Sequence, residues 1–233
     1  MWGLIAIVVA TLAIGYVQFR VSLAALMRQL DQKSRPLQDD VLEALVARIG
    51  RAVDLPDLRA HLFDMPVVNG LATPDGRIFI TTALFDKYRF GIIRAEEVAS
   101  VIAHELGHVA LGHHTRRLID WTGQSAARMA LGLLLNRFLP IVGFWIANVL
   151  AALVMARLSR RDEFEADRYA TALMLKAGLG HAPQIAMFRK LETMAPAAGG
   201  QGGAAWLASH PAVEERVAAI EANVAAWTQR AGA

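Results

Sequence analysis

Residues 2–19 read WGLIAIVVATLAIGYVQF, a run without a charged side chain. As a helix those eighteen residues reach about 27 Å, close to the roughly 30 Å hydrocarbon core of a bilayer. The pattern predicts an N-terminal transmembrane anchor over residues 1–20. A cleaved leader is the competing reading and fits less well. No Lys or Arg precedes the apolar run, and no small-x-small cleavage site follows it. Arg20, Arg28, Lys33 and Arg35 come after the run. The positive-inside rule then puts the N-terminus outside and the rest of the chain on the cytoplasmic face of the cell (inner) membrane, as a single-pass protein.

A second apolar stretch covers 126–158 and contains Arg128, Asn136, Arg137, Pro140 and Asn148. Both of its flanks must lie on one side if they share a site, and the stretch is short for two full crossings. A helical hairpin dipping into or lying on the membrane is the more economical arrangement. A buried hairpin and two true spans are the other readings.

The remaining pattern is that of a domain over 36–229 with 126–158 as an apolar insertion. Residues 38–53 have helical periodicity, with Val41, Leu42, Leu45, Val46 and Ile49 on one face. Residues 58–63 and 67–72 read as short strands. Thr73-Pro74-Asp75-Gly76 is a turn, and residues 77–82 (RIFITT) form the returning strand. Residues 95–114 read as a helix with Glu96 and Glu97 in its first turn. Further helices are expected over 159–177, ended by Gly178, over 183–194, and from Pro211 onward; 195–205 is a Gly/Ala-rich loop. The expected fold class is α+β, mainly helical, with one small sheet beside the helix at 95–114.

Composition supports the membrane reading and restricts the chemistry. Hydrophobic residues make up 55% of the 233, and the mean hydropathy is +0.35. There is no cysteine, so neither a disulfide nor a thiolate metal site is available. A transition-metal site must then use His, Asp and Glu, which suits zinc. The net charge of +3 comes without a basic run interleaved with aromatics, which argues against a nucleic-acid partner.

His104-Glu105-Leu106-Gly107-His108 matches H-E-x-x-H. Four helical residues turn through about 400°, so both imidazoles leave nearly the same face and can share one ion. Glu105 is placed to reach a water on that ion and act as general base. Two third ligands are available. His114 stands where the longer H-E-x-x-H-x-x-G-x-x-H motif has its last histidine, but Leu111 occupies the position where that motif needs its turning glycine. His113 and His114 are therefore read as helix-end residues. Glu163 lies in SRRDEFEAD, residues 159–167, four residues before Asp167 and on the same helical face. In that arrangement Glu163 binds the metal and Asp167 accepts a hydrogen bond from a ligand histidine.

These residues resemble the M48 peptidases, the family of the heat-shock membrane protease and the CAAX prenyl protease. HELGH at 104–108 is followed by SRRDEFEAD at 159–167; NGLATPDGRIFITTAL precedes them at 69–84, and Ser209-His210-Pro211 with Arg216 follows. Gly70 stands where that family usually has Ala, and Ala83 where it has Gly. The resemblance implies a zincin-like metallopeptidase domain with one Zn2+ per chain, held by His104, His108 and Glu163, with Glu105 as base. It implies that His210 approaches the reacting carbonyl oxygen and that Arg216 supports the site. The strand with Ile78, Phe79 and Ile80, preceded by Asn69, would be an edge strand that pairs with extended substrate. The expected function is that of a membrane-anchored zinc endopeptidase acting on membrane or misfolded polypeptides. A non-catalytic metal-binding membrane chaperone or adaptor is the alternative, and it leaves Glu105 without a task.

Overall fold

A computed structural model describes residues 2–73, 75–113, 116, 128–129, 131–140, 142–194 and 212–231. The chain divides into two compact units. The first holds residues 1–32 and 112–161, the second 33–111 and 162–233.

In the first unit, helix α1 (Trp2–Lys33) contains the expected anchor and runs past it. Val9, Ile14, Val17 and Val21 are exposed along it. Residues 131–138 are helical. Helix α5 (Val142–Lys176) begins in this unit. Its early turns expose Trp145, Leu150 and Leu153. Among the described residues it is the one helix long and apolar enough to cross a membrane.

The second unit carries the sheet. Strands β1 (Ser34–Pro36), β2 (Ala60–Phe63), β3 (Gly70–Ala72) and β4 (Ile78–Thr81) are arranged in the order β1-β2-β4-β3. β2 and β4 are parallel; the two outer pairings are antiparallel. This corrects one expectation. Ile78, Phe79 and Ile80 lie in an interior strand, each at most 1% exposed. The parallel pairing with β2 takes the side of β4 that the turn at 73–76 leaves open, so the outer strands are β1 and, next to β4, β3. Asn69 directly precedes β3.

Helices pack on this sheet through one apolar core. Helix α2 (Asp40–Ala52) starts at Asp39, whose carboxylate accepts from the Leu42 amide at 3.0 Å. It buries Leu42, Val46 and Ile49. Helix α3 (Thr82–Arg89) is capped by Thr81. Helix α4 (Ala95–Ala110) begins where the Arg94 amide donates to Glu97 at 2.7 Å. Burial would raise the Glu97 carboxyl, but Lys190, 2.7 Å away, and the Arg94 bonds hold it below its ordinary value. α4 buries Val98, Ile102, Ala103 and Leu106. It stops at Ala110 rather than running to 114, because Gly112 takes φ +65 and turns the chain. The second part of α5, helix α6 (Ala182–Met194) and helix α7 (Val213–Ala231) complete the core with Ala170, Met174, Met187, Leu191, Val217 and Ile220.

Candidate metal centre

Helix α4 is amphipathic in an unusual way, since its buried face also carries His104 and His108. Buried imidazoles are costly without partners. The partners come from the second part of α5, where Glu163 and Asp167 are buried too. Gly107 permits this approach. A Cβ at Gly107 would sit 3.0 Å from the Ala166 carbonyl oxygen and 3.1 Å from the Ala166 Cα. Ala166 lies between Glu163 and Asp167, so the absent side chain of Gly107 lets both carboxylates reach α4.

The resulting cluster is compact. His104 Nε2 and His108 Nε2 are 3.1 Å apart. Glu163 Oε2 lies 3.3 Å from His104 Nε2, and Glu163 Oε1 lies 3.5 Å from His108 Nε2. Zinc–nitrogen and zinc–oxygen bonds of about 2.0–2.1 Å in a tetrahedron put neighbouring ligand atoms about 3.3 Å apart. The three observed separations bracket that value, so the donor set fits a zinc ion with three protein ligands. His114 lies outside the described residues.

Behind the ligands stands a second layer. His104 Nδ1 is 2.9 Å from Asp167 Oδ1, which directs Nε2 toward the cluster. Arg216 from α7 donates to both Asp167 oxygens, from Nε and Nη2, at 2.6 Å each. The Phe188 ring lies 4.0 Å from the Arg216 guanidinium carbon. The Asp167 carbonyl accepts from Gln184 Nε2 at 3.3 Å and is 2.8 Å from the Thr171 hydroxyl. Burial would depress the His104 imidazole, but Asp167 and Glu163 outweigh it and lift it from 6.5 to about 9. Burial would raise Asp167, yet the Arg216 charge and hydrogen bonds, with those of His104, hold it below its usual 3.8.

The Glu105 side chain points toward the sheet edge, where its Oε2 accepts from the Ala72 amide at 3.2 Å. Sequence reasoning grouped His104, Glu105, His108, Glu163, Asp167 and Arg216, and the structure places all six in one region of the second unit. Sequence reasoning missed Gln184, Thr171 and Phe188, because single polar or aromatic residues on helices carry no spacing signal. It missed Ala72, whose contribution is a backbone amide. His210 lies outside the described residues.

The sequence profile of peptidase family M48 matches residues 36–224. The chain belongs to peptidase family M48. It is 31% identical to the metalloprotease LoiP of Escherichia coli (strain K12) over 185 residues, which is 79% of this chain and 70% of that protein. It is 29% identical to a protease HtpX homolog of Chlorobium phaeobacteroides (strain BS1), covering 76% of this chain and 66% of the relative. It is 25% identical to the mitochondrial metalloendopeptidase OMA1 of Bos taurus, covering 65% of this chain but 29% of that longer protein. As an M48 peptidase the chain is a zinc-dependent protease. The buried two-histidine, one-glutamate cluster is where such a metal fits.

Proposed function

We propose that this M48 peptidase is a membrane-anchored zinc endopeptidase acting on membrane or misfolded proteins. The observation that carries the reading is the near-tetrahedral spacing of His104, His108 and Glu163 with Glu105 on the same helix. His104, His108 and Glu163 hold the ion. A bound zinc supplies a Lewis acid and brings the pKa of its water to about 7. Glu105 takes a proton from the attacking water and passes it to the leaving amine nitrogen. Asp167 fixes the His104 tautomer, and Arg216 holds Asp167 in place. His210 donates to the developing oxyanion. Residues 1–20 serve as the anchor, and 126–158, with the early turns of α5, as the membrane-embedded insertion. The catalytic domain faces the cytoplasm. The exposed apolar side chains of α1 and α5 support the bilayer as partner.

The test is metal dependence tied to a ligand. The purified full chain in detergent should hydrolyse an unfolded protein such as casein, stop on chelation and recover with about one equivalent of zinc. Glu163→Ala should bind less than a tenth of the parent's zinc under the same conditions. Parental zinc content in that variant would remove Glu163 from the ligand set.

A further inference from the structure

The β3 edge of the sheet supplies more than a boundary. Thr81 N–H donates to the Asn69 carbonyl at 3.1 Å and Thr73 N–H to the Arg77 carbonyl at 3.0 Å, with Leu71 facing Phe79 between them. In an antiparallel pair this alternation turns the backbone groups of residues 69, 71 and 73 toward β4. Those of Gly70 and Ala72 turn away from it. Both outward amides have partners within the protein. Gly70 N–H donates to Asn69 Oδ1 at 3.0 Å, and Ala72 N–H donates to Glu105 Oε2 at 3.2 Å.

The second contact needs β3 to lie very close to α4, and Gly70 makes that approach available. A Cβ there would stand 2.6 Å from Val101 Cγ1 and 3.1 Å from Glu105 Cγ. These close side-chain neighbours show how near β3 runs to the segment of α4 that carries Glu105. Ala72 is itself 1% exposed and Glu105 half-buried, so the bond between them is partly sheltered from water. A sheltered bond to a charged acceptor is stronger than a neutral one and fixes orientation.

We infer that the Ala72 amide is a positioning group for Glu105. It holds one carboxylate oxygen and so fixes the orientation in which the carboxylate meets the reacting water. The inference rests on the reading of Glu105 as the base.

The decisive experiment replaces Ala72 by lactic acid in the full-length, zinc-loaded chain, which turns the amide into an ester and deletes only the N–H. The expected result is a kcat about tenfold lower, with KM and zinc per chain unchanged. Parental kcat in the ester, or loss of zinc in it, overturns the positioning role. Equal hydrolysis by the parent and Glu105→Gln has a different meaning, since it refutes the base assignment itself and the inference with it.

Discussion

At the scale of the residue, the site is organised by a proton. His104 is shared between Asp167 behind it and Glu163 in front of it. These two carboxylates keep its imidazole protonated to about pH 9 when no cation is bound. A divalent cation takes the place of the Nε2 proton, so binding must release it. Below the raised pKa each unit of pH costs about tenfold in apparent affinity. Zinc affinity should therefore climb from pH 6.5 to pH 9 and level off above it. Calorimetry in buffers of different ionisation enthalpy should report about one proton released per zinc at pH 7. A flat affinity over that range, with no proton released, contradicts this coupling. Asp167 stays ionised throughout because Arg216 compensates it from the far side.

At the scale of the element, the centre depends on how closely α4, α5 and β3 approach. Gly107 sets one of those distances by lacking a side chain. At Gly107 the neighbour is backbone, which cannot rotate away. Gly107→Ala should lower stability by about 1–3 kcal/mol through overpacking. It should also weaken zinc binding by about tenfold, since it pushes on the segment between Glu163 and Asp167. Denaturant unfolding and zinc titration read the two effects separately; an unchanged zinc affinity would show that α5 yields without moving its carboxylates.

These approaches also mark the limit of what the sequence discloses. The H-E-x-x-H and E-x-x-x-D spacings are helical arithmetic, so the pairs His104 with His108 and Glu163 with Asp167 are each visible before any fold is known, while the meeting of the two pairs is what the family resemblance implies. The strand at 77–82 is visible from its β-branched and aromatic residues. Its place inside the sheet is not, because that depends on parallel pairing with residues 60–63, distant in sequence. The role of the Ala72 amide is invisible for a related reason, since every residue but proline has the same donor. Composition likewise divides α5 in two, and the sequence does not show that its apolar start at Val142 continues unbroken to Glu163.

At the scale of the whole molecule, one long helix joins two kinds of chemistry. The early turns of α5 are apolar and exposed, and its later turns are buried and carry Glu163 and Asp167. With α1, those early turns give the chain apolar surface suited to a bilayer, while the second unit has a core of its own. A peptidase built this way has the helix that carries Glu163 covalently continuous with an apolar, exposed segment. That continuity favours membrane and misfolded proteins as the substrates under the proposed reading.

The account stands on Glu105 acting at a zinc ion held by the His104, His108 and Glu163 group. The most direct measurement compares the parent and Glu105→Gln, each as full-length protein in lipid vesicles with zinc content determined, for cleavage of an unfolded polypeptide. The account predicts about one zinc per chain in both and a rate at least about a thousandfold lower in the variant. Equal rates at equal zinc content would contradict it.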